Sequence, residues 1–121
     1  MKPEIKLKRI YDEPNPDDGF RVFVDRLWAR GVTKEAARID FWAKALTPSN
    51  ELRKWFHEDT FRQADFEEQY LMELEERHGE IEVLIDSLRT HPAITLVTAT
   101  KDLQTGHSAI LLRFLRQRLL A

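Results

Sequence analysis

The chain of 121 residues has no cysteine. That removes a disulfide framework, a thiolate nucleophile and any Cys-based zinc site. No two histidines share a metal-ligand spacing, and neither an HExxH motif nor an acidic calcium loop occurs, so no metal site is expected. Walker and GxGxxG motifs are missing too, and no cofactor is expected. The formal net charge is only −2, so there is no global pull on nucleic acid and any anion binding has to be local. No apolar run approaches membrane-spanning length, and Met1-Lys-Pro-Glu-Ile5 carries no apolar signal segment. The expectation is a soluble cytoplasmic protein with no membrane partner. Internal repeats, low-complexity tracts and Gly/Ser linkers are also lacking, which favours one α/β domain over residues 1–121.

The residues present suit a globular core. Apolar content is 42% and charged content 33%, values of a folded chain long enough to bury a substantial interior. The organising stretch is Phe20-Arg-Val-Phe-Val-Asp-Arg-Leu-Trp-Ala-Arg-Gly31. Phe20, Val22 and Val24 alternate one way and Phe23 and Leu27 the other, the pattern of a strand covered on both faces in a parallel sheet. Asp25, Arg26 and Arg30 then crowd around Trp28. Charges at the carboxyl end of a buried strand are where open α/β sheets place ligand-binding groups.

Around this stretch the chain reads as alternating strands and helices. Residues 4–10 alternate apolar and basic, a strand near a sheet edge, and the acidic, Pro-rich segment 12–19 is a loop. The central strand is expected over 20–28. Thr33 caps a short turn over 34–38, and 40–46 leans towards a short strand. Ser49 caps a helix whose Leu52, Trp55 and Phe56 form one face. Thr60-Phe-Arg-Gln63 matches a capping box, opening a helix with Phe66, Tyr70 and Leu74 that Gly79 is expected to stop. Ile81, Leu84, Ile85 and Leu88 mark another helix, closed by His91-Pro92. Residues 93–99 form a second interior strand, parallel to and beside the strand at Phe20. It leads through 101–107 into a helix with Ala109, Leu112, Leu115 and Leu119 as its core stripe. The helices between the two strands supply the crossover that parallel pairing requires.

Val24-Asp-Arg-Leu-Trp-Ala-Arg-Gly31, Leu46-Thr-Pro-Ser-Asn-Glu-Leu-Arg-Lys-Trp-Phe56 and Thr98-Ala-Thr-Lys-Asp102 with His107-Ser-Ala109 resemble the YeaO-like family of small bacterial proteins. That family sits in a wider group named only as a domain of unknown function. The resemblance covers nearly the whole chain. It implies a small, mostly parallel sheet flanked by helices in a rhodanese-like or phosphatase-like three-layer arrangement, and no settled activity. The wider group looks distantly related to domains that use a loop cysteine after the last strand. Here that loop, Thr100 to His107, has no cysteine, so sulfur transfer and cysteine-phosphatase chemistry are excluded. The chain departs from the family pattern at Ala29, where proline is usual, and at Gly106, where asparagine is usual.

Each candidate site has a structural reading beside its functional one. Asp25, Arg26 and Arg30 form either an anion clamp, with Arg forks presented to phosphate or carboxylate, or an internal ion-pair network. Lys101 and Asp102 lie in a loop at a helix N-terminus, which can bind an anion, while Asp102 or Thr105 can equally cap that helix. His107 is the best-placed group for acid–base work near neutral pH. Ser49 and Arg53 open a helix that can face the same edge, and Trp28, although suited to stacking a ligand, reads more readily as core. Two functions follow. One is a small cofactor-independent enzyme for a phosphorylated or nucleotide-like substrate: Asp25, Asp102 or His107 moves protons, and Arg26, Arg30 and Lys101 hold the anion, with Trp28, Ser49 and Arg53 as further ligand contacts. The other is a non-catalytic binding or regulatory module for an anionic ligand, nucleic acid or protein.

Overall fold

The computed structural model describes residues 3–58 and 63–120. Its elements are β1 (Glu4–Arg9), β2 (Phe20–Phe23), α1 (Lys34–Ala37), β3 (Phe41–Trp42), α2 (Asn50–Glu58), α3 (Gln63–Glu76), α4 (His78–Leu88), β4 (Ala93–Thr98) and α5 (Gly106–Leu120). Single 3-10 turns lie at Pro16–Asp18 and Lys44–Leu46. The strands form one sheet in the order β1-β4-β2-β3, and every pairing is parallel. The α/β reading holds, and the two strong strands are parallel neighbours, Phe20 aligned with Ile94 and Phe23 with Val97.

The two faces of the sheet are covered differently. Ile5, Val22, Val24, Ile94 and Leu96 pack against Leu52, Phe66, Tyr70, Leu74, Ile81, Ile85, Leu88, Leu111 and Leu115 from α2 to α5. The opposite face buries Phe23 and Val97 under Ile10, Ala29 and Ala37, with Trp28 and Trp42 against them. Those two indoles and Phe23 form one aromatic cluster, with ring centroids 4.8–5.6 Å apart. Val22, Phe23 and Val24 are completely buried, each side chain contributing roughly 1.5–3 kcal/mol by leaving water. That double burial is why this short stretch reads so clearly as a central strand.

The central strand is shorter than its apolar pattern implies. It ends at Phe23, not Trp28. Val24 N–H still reaches the Val97 carbonyl at 3.0 Å, but the next pairing position is taken by the Asp25 side chain, which accepts the Ala99 N–H at 2.8 Å. The main chain leaves the sheet there, and Leu27, expected inside, is 65% exposed.

The amino end of β2 is tied down by a buried charge cluster. Asp18 is 1% exposed and accepts from Arg21 at 2.6 Å, from Lys8 at 3.1 Å and from Lys6 at 3.2 Å. Burial alone raises its pKa, but the Asn15 N–H and the three cations outweigh that and hold the carboxyl well below the usual carboxylate range. Gly19 follows with φ 66°, and a Cβ there would lie 2.3 Å from the Ala93 carbonyl oxygen, so no other residue fits without displacing backbone.

The helix starts behave as their sequences imply. Thr33 accepts the Ala36 N–H at 3.0 Å, and Ser49 accepts the Leu52 N–H at 3.1 Å. The capping box at Thr60 lies outside the described residues. Gly79 does not stop α3; it sits inside α4, and the break falls at Arg77 (φ −98°, ψ 18°). Arg77 donates to the carbonyls of Ala45 and Thr47 at 2.8 and 2.7 Å, fixing the α3–α4 corner to the segment before α2. In α5, Ala109, Leu115 and Leu119 are buried as expected and Leu112 is half-buried, while Ile110 and Leu111 join them inside. No helix among the described residues is long and apolar enough to cross a membrane.

Candidate functional site

The strand order creates a crevice between the carboxyl ends of β2 and β4. After β2 the chain crosses to the α1 face, where Ala29 and Ala37 pack. After β4 it crosses to the other face, where α5 packs. Neighbouring strands whose continuations part in this way leave the opening in which open α/β sheets bind ligands. Here it is a cleft of about 220 Å³, lined by Asp25, Arg26, Leu27, Pro48, Arg53, Phe56, His57, Phe66, Thr100, Gly106 and His107. Four segments of the described chain meet in it: the exit of β2, α2 with Pro48 before it, α3 at Phe66 and the turn into α5.

Its most extensively hydrogen-bonded part is the pair Asp25 and His107. Asp25 Oδ1 accepts from the Thr98 hydroxyl at 2.6 Å and lies 3.0 Å from His107 Nε2. Oδ2 accepts the Ala99 N–H. Burial pushes the Asp25 carboxyl up, but the His107 ring, the Thr98 hydroxyl and the Ala99 N–H together hold it below the ordinary carboxylate value. His107 Nε2 is also 3.0 Å from the Val24 carbonyl. Both neighbours of Nε2 are acceptors, which assigns a ring proton to Nε2. Tyr70 lies below, its ring 6.4 Å from that of His107. Its hydroxyl donates to the Leu46 carbonyl, and burial keeps it protonated by raising its pKa far above the usual phenol value.

Two arginines complete the polar lining. Arg26 donates one hydrogen bond to Thr47 Oγ1 at 3.2 Å, and Arg53 one to Asn50 Oδ1 at 3.3 Å. A guanidinium has five N–H donors, and no carboxylate among the described residues lies within ion-pair distance of either. With His57, also on the lining, the described residues of the cleft present two guanidiniums and two imidazoles against one internally bonded carboxylate. Locally it is basic in a chain of net charge −2.

Of the residues nominated from sequence, the fold brings Asp25, Arg26, Arg53 and His107 onto this cleft and places the others elsewhere. Trp28 donates its indole N–H to the Val32 carbonyl at 2.7 Å, within the aromatic cluster on the other face. Arg30 and Lys101 are exposed and do not line the cleft. Asp102 is bonded to Gln104 N–H and the Thr105 hydroxyl at 2.8 and 2.9 Å, and these bonds hold its carboxyl below the usual value. It organises the loop. Ser49 is engaged by Glu73, which takes its N–H at 2.8 Å and its hydroxyl at 2.6 Å. Sequence reasoning missed Thr98, Phe56 and His57 as parts of the site. For Thr98 a signal existed, a hydroxyl residue ending an apolar strand; His57 gave none, because nothing local orients its helix towards the cleft. Gly106 has φ 83° with open space around it. Asparagine is among the few other residues that tolerate that conformation, so the departure from the family pattern preserves the turn.

Residues 4–121 match the model of the family described as the inactive DUF488-N3 subclade. The chain belongs to this family. It is 42% identical over 112 residues to the uncharacterised protein YeaO of Escherichia coli strain K12, covering 93% of this chain and 96% of the relative. It is 36% identical over 114 residues to the uncharacterised protein Rv3073c of Mycobacterium tuberculosis and to Mb3100c of Mycobacterium bovis, covering 94% of this chain and 95% of each relative. No solved structure matches the chain.

Proposed function

We propose that the chain is a non-catalytic binding module that takes a small anion in the cleft at the carboxyl edge of the sheet. The observation that carries this reading is the pair of guanidiniums, Arg26 and Arg53, on one small cleft whose only carboxylate among the described residues is already satisfied from within the fold. A lowered pKa and three internal partners make Asp25 a poor proton acceptor for a substrate and a good brace for His107. The loop after β4 supplies no thiolate, and the description of the family as inactive points the same way. The anion is held by the Arg forks, bidentate to phosphate or carboxylate, with His107 as a further donor when charged. A soluble, cytoplasmic setting fits a cysteine-free chain of this kind.

The test is a thermal-shift series with phosphate and chloride at matched ionic strength, on the wild-type chain and on Arg53→Ala. Ligand at a hundredfold over Kd stabilises the native state by about 2.7 kcal/mol, so phosphate raises the midpoint, chloride does not, and Arg53→Ala loses the gain. Equal shifts with both salts mean general screening and overturn the reading. A second reading, general acid–base catalysis by His107, is favoured by one observation: Asp25 and Val24 fix its tautomer, as an orienting carboxylate does in catalytic dyads. Release of phosphate from simple monoesters, abolished by His107→Gln, would support it instead.

A further inference from the structure

The lining of the cleft is divided by chemistry, and the division specifies more than charge. Arg26, Arg53, His57 and His107 supply donors, while Leu27, Pro48, Phe56 and Phe66 supply carbon. Inorganic phosphate or a small carboxylate uses only the first group and leaves the second in water. Phe56 carries the argument. It is half-buried on α2, with its ring stacked on Phe66 at 4.3 Å between centroids and 22° between planes. Phe66, at 2% exposure, is core, so Phe66 backs one face of the Phe56 ring, and Phe56 lines the cleft. Leu27, 65% exposed, stands on the same lining beside Arg26. An exposed leucine and a backed aromatic ring next to two arginines match a ligand with a flat apolar part joined to an anionic one.

We infer that the ligand of this cleft is an anion carrying an aromatic ring, of the nucleoside monophosphate type, with the ring against Phe56 and the phosphate on Arg26 and Arg53. This rests on the anion-binding reading of the same cleft and goes beyond it by naming the second half of the ligand. At about 220 Å³ the cleft is below the usual range for drug-sized ligands, so a mononucleotide would be held with part of it outside, and a dinucleotide or a polymer would fit still less well. Stacking of a base on an aromatic side chain is tolerant of base identity, so preference among bases is expected to be slight, while preference for having a base is large.

The experiment is calorimetric titration of the full chain with adenosine 5′-monophosphate, ribose 5-phosphate and inorganic phosphate at one ionic strength, repeated on Phe56→Leu. Leucine keeps an apolar side chain against Phe66, and a cooperative thermal transition well above the titration temperature confirms that this variant is folded. The expected result is binding of all three, with the monophosphate nucleotide at least tenfold tighter than ribose 5-phosphate in the wild type. In Phe56→Leu that preference falls to within about twofold while phosphate affinity stays the same. Equal affinity for nucleotide and ribose phosphate overturns the aromatic inference and leaves anion binding standing. A preference undiminished in Phe56→Leu also overturns it, since the ring is then read elsewhere. Binding of none of the three removes both readings.

Discussion

Asp25→Asn is the substitution on which the structural account of the cleft is most exposed. The carboxylate, with its side chain 14% exposed, takes three donors: the Thr98 hydroxyl, the Ala99 N–H and His107 Nε2. Asparagine keeps the shape and one oxygen, which can still accept from Thr98 and His107. Its amide nitrogen, however, faces the Ala99 N–H and leaves that donor unpaired, at a cost of about 1–3 kcal/mol, while the remaining bonds fall from the charge-assisted class to the ordinary one. Together these give a loss of about 2–4 kcal/mol. With a urea slope of about 2 kcal/mol/M for a domain of this size, the unfolding midpoint drops by roughly 1–2 M at pH 7. The pH dependence follows from the direction of the shift. The folded carboxyl titrates below its unfolded value of about 3.9, so its contribution is fully present above about pH 5 and is lost as the pH falls through the folded pKa. The gap between wild type and Asp25→Asn therefore narrows below about pH 4, and Asp18, common to both proteins, cancels in the difference. A midpoint change under 0.3 M, taken as roughly the error of such extrapolations, or a gap constant down to pH 3, would show that Asp25 does not brace this edge.

Other outcomes follow from the same geometry. Asp18→Ala leaves Arg21 buried without its carboxylate and should cost about 3–5 kcal/mol, read as a lowered urea midpoint; a loss under about 1 kcal/mol would mean that Lys6, Lys8 and Arg21 relax into water. Gly19→Ala forces a Cβ to 2.3 Å from the Ala93 carbonyl oxygen and should lower the thermal midpoint by the equivalent of more than about 2 kcal/mol, whereas Gly106→Asn, strained only by its positive φ with no atom in the way, should lower it less. Phe56→Ala removes a half-buried ring and should cost about 2 kcal/mol, less than the roughly 3–5 kcal/mol of a fully buried phenylalanine.

The sequence made the layers legible because burial there is periodic. A run apolar on both faces meant a central parallel strand, and the 3.6-residue stripes of α4 and α5 meant helices over one face. What periodicity does not record is where a side chain replaces the main chain as a pairing partner. Asp25 does this at Ala99, and the central strand therefore ends five residues early, with Leu27 outside. Nor does it record a bend held from a distance, as at the α3–α4 corner, where Arg77 reaches the carbonyls of Ala45 and Thr47 and Gly79 has no part. The site was half legible for the same reason. Asp25, Arg26 and His107 follow the two strong strands and could be placed on one edge from their positions alone. Arg30 and Trp28 follow the same strand but lie beyond the point where the chain crosses to the other face. Arg53, Phe56 and His57 reach the cleft only through the angle of α2, which Ser49 and Glu73 set across a long stretch of sequence.

The measurement that bears most directly on the central claim is a 1H–15N NMR titration of the full chain with phosphate, against chloride at equal ionic strength. The account predicts saturable shifts confined to the exit of β2, α2, the part of α3 around Phe66 and the turn into α5, with the largest at the Arg26 and Arg53 side chains and the His107 ring, and their loss in Arg53→Ala. Shifts scattered over Lys6, Arg30, Lys101 and the other exposed cations, linear in salt and the same for chloride, would contradict it.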